Sequence, residues 1–129
     1  MNPEEYERMY RLEDRHWWYA GMRHVMATVL AQGHPPDGRL RILDAGCGTG
    51  ANLVHLAPWG ETVGVDFSTL ALGFSRQRGH TGLLRASVEH LPFAEGTFDL
   101  VLCSEVIYHL GVAHDELAVA EFFRVLRPG

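Results

Sequence analysis

The feature that most constrains the fold is a short, largely apolar run followed by three glycines on alternate positions. The run covers residues 40–43, and the glycines are Gly46, Gly48 and Gly50. A brief apolar segment is typical of a central strand in a parallel sheet, because such a strand is covered on both faces. Glycine tolerates positive φ and has no Cβ, so the turn after this strand would let a ligand lie against bare backbone.

A short helix is predicted directly after the turn, over residues 51–57. The first N–H groups of a helix have no partner within it, so they would point at an anionic group above the turn. Strand, turn and helix are therefore expected to cradle a nucleotide-like ligand. This interpretation requires that the Asp66 side chain faces the turn and that the space above Gly48 stays open.

Strands and helices alternate along the rest of the chain, which indicates a parallel sheet with helices on its faces. Before this region, Asn2 and Pro3 predict the start of a helix that runs to about Asp14. A second helix is predicted to end near Gly33 and to present one apolar face, formed by Met22, Val25, Met26, Val29 and Leu30. Further strands are expected at 62–66, 83–84 and 98–103, helices at 69–78 and 115–126, and a helical turn at 108–110.

Composition excludes several classes of protein. At 129 residues the chain is expected to form one domain, and its net charge of −5 offers no basic face for nucleic acid. No apolar run is long enough to span a bilayer. Cys47 and Cys103 make no disulfide framework or zinc motif, and the histidines lack metal-ligand spacing, so we expect reduced thiols, no metal and a cytoplasmic location.

The end of the sequence is unusual for this architecture. The fourth predicted strand is wholly apolar, yet no later segment could pair with its outer edge, and an exposed apolar edge promotes aggregation. Two explanations remain open. Either a second copy of the chain covers the edge in a homodimer, or the chain lacks a C-terminal segment of a longer protein, which we favour.

Five motifs occur in an order that resembles a class I S-adenosylmethionine (SAM)-dependent methyltransferase of the small-molecule, type 11-like kind. The resemblance covers residues 40–129, with weaker similarity at 16–19. The motifs are Leu43-Asp44-Ala45-Gly46-Cys47-Gly48-Thr49-Gly50, Val63-Gly64-Val65-Asp66-Phe67-Ser68, Leu91-Pro92-Phe93 with Phe98-Asp99-Leu100-Val101, Cys103-Ser104-Glu105-Val106-Ile107-Tyr108-His109-Leu110, and Arg124-Val125-Leu126-Arg127-Pro128-Gly129. Each motif alone is weak, but five in the right order are specific.

The resemblance implies how the cofactor SAM would be held. Asp44 and the backbone of the turn would hold the ammonium and carboxylate of its methionine part; the turn residues are Ala45, Gly46, Cys47, Gly48 and Gly50. Asp66 would accept hydrogen bonds from both ribose hydroxyls, as acids at this position do in dinucleotide folds. Phe67 would flank the adenine.

Other site residues also follow from the resemblance. Family members usually carry an acid that meets the adenine amine, but this sequence has Ser87 there, next to Val88. That contact is therefore expected either to be weaker or to come from a backbone group or Glu89. Ser104 and Glu105 would border the methyl-transfer centre. If the acceptor arrives protonated, His109 is the first candidate for a general base, and Tyr108 and His16 are the others.

Alternatives remain at this point. Gly46, Gly48 and Ala51 also fit the dinucleotide fingerprint, so an NAD(P)-binding oxidoreductase is the main enzymatic rival. The arguments against it are Asp44 before the first glycine and the segment from Leu91-Pro92-Phe93 to Phe98-Asp99. A non-catalytic cofactor-binding fragment is a third possibility. The aromatic residues Trp17, Trp18 and Tyr19 form either a lid over the acceptor pocket or a packing surface for the N-terminal helix.

Together these observations predict an α/β fold with a Rossmann-like, doubly wound sheet of strand order 3-2-1-4, truncated after the fourth strand. Residues 1–39 would form a helical N-terminal segment or lid, and residues 40–129 an incomplete SAM-binding core. The expected function is transfer of a methyl group from SAM to a small-molecule acceptor, whose identity the sequence does not indicate.

Overall fold

A computed structural model describes residues 2–104 and 115–128 of the chain. Its centre is a sheet of four parallel strands in the order β3-β2-β1-β4, which confirms the predicted topology. The strands are β1 (Leu40–Ala45), β2 (Gly60–Asp66), β3 (Leu83–Arg85) and β4 (Leu100–Leu102).

The strand β1 lies between two neighbours, and residues 42–45 of it are buried. It pairs with β2 from Leu40 opposite Gly60 to Ala45 opposite Val65. Because the strands are parallel, their carboxyl ends meet at one edge of the sheet, where parallel α/β sheets bind their ligands. This register brings Asp44 and Asp66 to the same edge.

Helices flank the sheet, and their starts follow local capping chemistry. The Asn2 side chain accepts a hydrogen bond from the Glu5 N–H, while Glu5 accepts one from the Asn2 N–H. Ser68 accepts from the Ala71 N–H in the same way. The helices are α1 (Pro3–Leu12), α2 (Trp17–Gly33), α3 (Ala51–Leu56), which continues into a 3₁₀ turn (Ala57–Trp59), α4 (Thr69–Gln77) and α5 (Asp115–Val125).

The core has two layers because successive side chains of β1 point to opposite faces. On one face Leu43 packs in a cluster that includes Phe98 and Val125. On the other face Ile42 packs with Leu30 and Leu56. The sheet is therefore covered on both sides, as the apolar character of β1 predicted.

The expected apolar face of α2 is only partly buried. Met26 and Leu30 pack against the sheet, but Val25 and Val29 are 59% and 61% exposed. The face of the helix that contacts the sheet is therefore narrower than the apolar face predicted from the spacing of its residues.

The fourth strand is shorter than predicted. Phe98 lies outside it, 1% exposed, and forms an isolated parallel bridge with Leu126. Asp99 accepts a hydrogen bond from the Arg41 N–H at 2.8 Å and pairs with Arg127, which supports a structural role. The helical turn expected at 108–110 lies outside the described residues. Within the described ranges, no helix is both long and apolar enough to cross a membrane.

Candidate cofactor site

The three glycines after β1 adopt the left-handed conformation that the sequence predicted. The φ angles of Gly46, Gly48 and Gly50 are 80°, 56° and 88°. The turn is anchored to β2, because the N–H groups of Gly46 and Cys47 both donate to the Val65 carbonyl, at 2.8 and 2.9 Å. These two donors are thus engaged within the protein, and a ligand would meet the bare surface of the turn.

The Asp66 side chain faces this turn, as the interpretation required. Its Oδ2 accepts a hydrogen bond from the Gly48 N–H and its Oδ1 accepts one from the Ser68 N–H, each at 2.9 Å. A carboxylate oxygen can accept more than one hydrogen bond. Asp66 therefore keeps the capacity to accept from a pair of neighbouring hydroxyl groups.

Asp44 is the most unusual residue of the site. Its side chain is 1% exposed, and neither carboxylate oxygen has a hydrogen-bond partner within the described part of the chain. Burial, then the nearby charges of Asp66 and Glu13, raise the pKa of the Asp44 carboxyl to about 7. Burying a carboxyl group without hydrogen-bond partners costs free energy of folding. The presence of such a group here indicates a site where a cationic ligand would pair with it.

A buried ion pair joins the N-terminal helix to the turn. Glu13, the residue that ends α1, pairs with Arg78 at 2.9 Å and accepts a hydrogen bond from the Thr49 hydroxyl at 2.6 Å. The Arg78 guanidinium also lies 4.6 Å from the centre of the Tyr10 ring. No short-range pattern in the sequence indicated this contact, since Glu13 and Arg78 are 65 residues apart.

The requirement of open space above Gly48 is met only in part. The Met9 methyl group lies 3.4 Å from the position that a Cβ on Gly48 would occupy, so α1 covers this side of the turn. No feature of the sequence indicated this packing. The approaching atom is the end of a flexible side chain rather than backbone, so it can move without disturbing the fold.

Two other expected site residues border the same edge of the sheet. Phe67 follows β2 and is 62% exposed, with the Arg85 guanidinium 4.7 Å from the centre of its ring. Ser104 follows β4 and is half-buried.

Other residues contribute less to the site, or lie beyond the described structure. Ser87 accepts a hydrogen bond from the Glu89 N–H, whereas Val88 is buried in the core. Val88 could therefore offer a ligand only its backbone. The remaining expected residues, Glu105, Tyr108 and His109, lie outside the described residues.

The cysteine in the turn is not a nucleophile. Burial and the charges of Asp44 and Asp66 raise the pKa of the Cys47 thiol, which keeps it protonated. Cys47 and Cys103 are not joined by a disulfide bond. The ranges 2–104 and 115–128 contain no cluster of His, Cys, Asp and Glu suited to a metal ion.

The aromatic residues at the start of α2 differ in their exposure. Trp17 is 74% exposed and Trp18 is 45% exposed. Trp18 and Tyr19 line a surface groove of about 370 Å³ together with residues of α1, among them Met9 and Leu12. Met9 thus contacts both this groove and the glycine turn.

Comparisons with known proteins agree with this geometry. A family described as a methyltransferase domain matches residues 43–129. Malonyl-[acyl-carrier protein] O-methyltransferase of Dechloromonas aromatica is 41% identical over 117 residues, which are 85% of this chain and 41% of that protein. Demethylmenaquinone methyltransferase of Lactiplantibacillus plantarum is 34% identical over 118 residues, 83% of this chain and 48% of that protein. A solved SAM-dependent methyltransferase of Thermotoga maritima is 25% identical with a TM-score of 0.69, over 98% of this chain and 54% of that one.

The chain belongs to this methyltransferase-domain family. It spans less than half the length of the two curated relatives above. SAM is the cofactor that the family implies, and the residues present fit it. The buried Asp44 carboxylate, which has no partner in residues 2–104 and 115–128, suits an ammonium group, and Asp66 suits a pair of ribose hydroxyls.

Replacing Gly50 with alanine is expected to destabilise the turn. The added Cβ would lie 2.7 Å from the Ser75 hydroxyl oxygen, and the φ of +88° would strain any L side chain. We expect a loss of about 2–4 kcal/mol in the free energy of unfolding, measured by urea denaturation.

The matched control is Gly73→Ala in α4. A Cβ there meets nothing within 4 Å, so alanine should leave stability unchanged or raise it by up to about 1 kcal/mol. Equal stability of the two variants would contradict the strained geometry of the turn.

Proposed function

We propose that this chain supplies the cofactor half of a SAM-dependent methyltransferase that acts on a small molecule. The observation that carries the proposal is the buried carboxylate of Asp44 at the carboxyl end of β1, which has no hydrogen-bond partner among the described residues. The ammonium group of the methionine part of SAM is a cation that would pair with this carboxylate.

The charge of the site favours SAM over a nicotinamide dinucleotide. Glu13 is compensated by Arg78, so Asp44 and Asp66 are the carboxylates left to act on a ligand at the turn. SAM brings two positive groups, the ammonium and the sulfonium. The pyrophosphate of NADH would instead bring negative charge next to the Asp44 carboxylate, which is unfavourable in a partly buried site.

The proposed roles of the residues are binding and alignment. Asp44 would orient the ammonium group and Asp66 would orient the ribose. The exposed ring of Phe67 would flank one face of the adenine. When bound, SAM supplies a methyl group that its sulfonium has already activated, so the protein needs mainly to hold the acceptor in line with it. We propose residues 1–39 as the lid of this site, since Met9 lies against Gly48 and Glu13 joins α1 to the turn.

A general base is needed only when the acceptor arrives protonated. We keep His109 as the first candidate and Tyr108 and His16 as the others. The test is the pH dependence of turnover by a His109→Ala variant. An unchanged rate at every pH would remove His109 from this role.

The acceptor is proposed only as a small molecule. The names of two relatives assign them to demethylmenaquinone and to malonyl-[acyl-carrier protein], so the family itself does not fix the acceptor. A panel of candidate acceptors, followed by release of S-adenosylhomocysteine (SAH), would identify it.

The cofactor proposal predicts that the protein binds SAH with a micromolar dissociation constant and binds NADH at least about a hundredfold more weakly. The ammonium contact that NADH lacks and the repulsion between its pyrophosphate and Asp44, at about 1.4 kcal/mol each, would produce a ratio of this order. Isothermal titration calorimetry with both ligands measures it. A preference for NADH, or no SAH binding by folded protein, would refute the proposal.

A further inference from the structure

Three consecutive carbonyl groups of the glycine turn accept hydrogen bonds from side chains at one end of α4. The Ser75 hydroxyl donates to the Gly48 carbonyl at 2.9 Å, and Arg78 Nε donates to the Thr49 carbonyl at 2.9 Å. The His80 ring nitrogen Nε2 lies 3.0 Å from the Gly50 carbonyl. Since a carbonyl only accepts, His80 carries a hydrogen on Nε2 in this contact.

These contacts are partly or fully shielded from water. Ser75 is fully buried, the Arg78 side chain is 9% exposed, and His80 is half-buried. Hydrogen bonds in such surroundings meet little competition from solvent, and losing one leaves a buried carbonyl unsatisfied. The three donors therefore constrain the backbone of the turn more strongly than surface contacts would.

The opposite side of the turn is held by β2. There the Gly46 N–H donates to the Val65 carbonyl and the Gly48 N–H donates to Asp66. The turn is thus fixed from both sides. Its glycines have positive φ angles, and glycine by itself has little preference between positive and negative φ. Its shape in the ligand-free protein depends on these partners.

We propose that Ser75, Arg78 and His80 are positioning residues for the methionine half of the cofactor. They contact no part of the ligand, but they hold the backbone of Gly48, Thr49 and Gly50 against which that half would lie. This inference rests on the proposed SAM-binding function. It adds a role for the end of α4, a segment outside the motifs that carry the family resemblance.

A purely structural role of these three residues predicts a different pattern of ligand affinities. If these residues only joined α4 to the domain, their loss would weaken all nucleoside ligands alike, because Asp66 and Phe67 would shift together with the turn. A positioning role weakens only ligands that contain the methionine part. SAH and 5′-methylthioadenosine separate the two cases, since both contain the thioadenosine but only SAH carries the amino-acid portion.

The test measures the dissociation constants of both ligands for Ser75→Ala and His80→Ala by calorimetry. We expect SAH affinity to fall about fivefold to twentyfold in each variant, as the loss of one buried hydrogen bond implies, and the affinity for 5′-methylthioadenosine to change less than twofold. His80→Gln, whose amide nitrogen can replace Nε2 as donor, should retain most of the SAH affinity. Arg76→Ala, at an exposed position on the same helix, is the control and should match the wild type.

The outcomes are separable. Equal losses for both ligands, or no loss in variants that still melt cooperatively, would overturn the positioning role while leaving the cofactor proposal intact. Failure of the wild-type protein to bind SAH would instead refute the cofactor proposal. If Ser75→Ala does not fold, the comparison of His80→Ala with His80→Gln decides the question.

Discussion

Replacing Asp44 with asparagine is expected to raise the stability of the ligand-free protein while abolishing SAH binding. Asparagine has nearly the same shape as aspartate but carries no charge, so it removes the cost of a buried carboxylate whose oxygens have no partner in the described structure. It also removes the negative charge that, in our proposal, binds the ammonium group of the cofactor. Stability is expected to rise while SAH affinity is lost. Few substitutions of a residue with a purely structural role would change these two quantities in opposite directions.

The stability gain depends on pH in a defined direction. The pKa of Asp44 is raised from its ordinary value of 3.8 to about 7 in the folded protein. Between these values the folded protein keeps a proton that the unfolded chain releases, so the stability of the wild type falls as pH rises through this window. The resulting destabilisation of the wild type is at most about 4 kcal/mol, and it is fully present above about pH 7 and absent below about pH 4.

Urea denaturation of both proteins at pH 5 and pH 8, with calorimetry of SAH binding at pH 8, measures these effects. We expect Asp44→Asn to be more stable by about 2–4 kcal/mol at pH 8 and by less at pH 5. Glu61→Gln, which removes an exposed carboxylate from β2, is the control and should change neither quantity. A less stable Asp44→Asn protein, or one that still binds SAH, would contradict the interpretation.

Replacing Arg78 with methionine is expected to be strongly destabilising. The side chain pairs with Glu13, donates to the Thr49 carbonyl and stacks on Tyr10, and Glu13 is itself buried. Removal of one partner leaves an uncompensated buried charge, which costs about 3–5 kcal/mol. Because small domains have a total stability of about 5–15 kcal/mol, we expect a large fall in the melting temperature.

The response of this variant to a second change and to pH tests the cause. Adding Glu13→Gln to Arg78→Met should recover part of the loss, because the stranded charge is removed. Burial already raises the pKa of Glu13 and Arg78 opposes that rise, so without Arg78 the carboxyl should protonate more readily. The deficit should therefore shrink as pH falls.

Thermal melts of Arg78→Met, the double variant and the exposed control Arg76→Met, each at two pH values, provide the measurement. A loss below about 1 kcal/mol for Arg78→Met would show that the ion pair does not anchor α1, since that is the range of exposed salt bridges. A double variant no more stable than the single one would assign the loss to packing rather than to charge.

Much of the sheet was predictable because its determinants are local. The apolar run before the glycines indicated β1, the alternation of strands and helices indicated the parallel topology, and Asn2 and Ser68 marked the starts of α1 and α4. The left-handed turn followed from the spacing of the glycines. Apart from the topology, which rests on the alternation along the whole chain, each of these inferences uses residues only a few positions apart.

The contacts that hold the site were not predictable in this way. Met9 lies against Gly48, Glu13 joins Arg78 and Thr49, and Ser75 reaches the Gly48 carbonyl, all between segments distant in the chain. The apolar face predicted for α2 was also wider than the face that is buried, because a helix can bury only part of its apolar surface. Which arc it buries depends on the element it meets.

The sequence by itself determined the positions of the strands along the chain, the conformation of the turn and, through its five motifs, the family, and the strand order was expected together with that resemblance. Only the tertiary structure decided that Asp44 is left without a partner in the described chain, that α1 closes over Gly48 and that the end of α4 secures the turn. The reason is physical. Backbone preferences and hydrophobic periodicity act over a few residues, whereas burial and electrostatic pairing depend on which distant segments come to lie together.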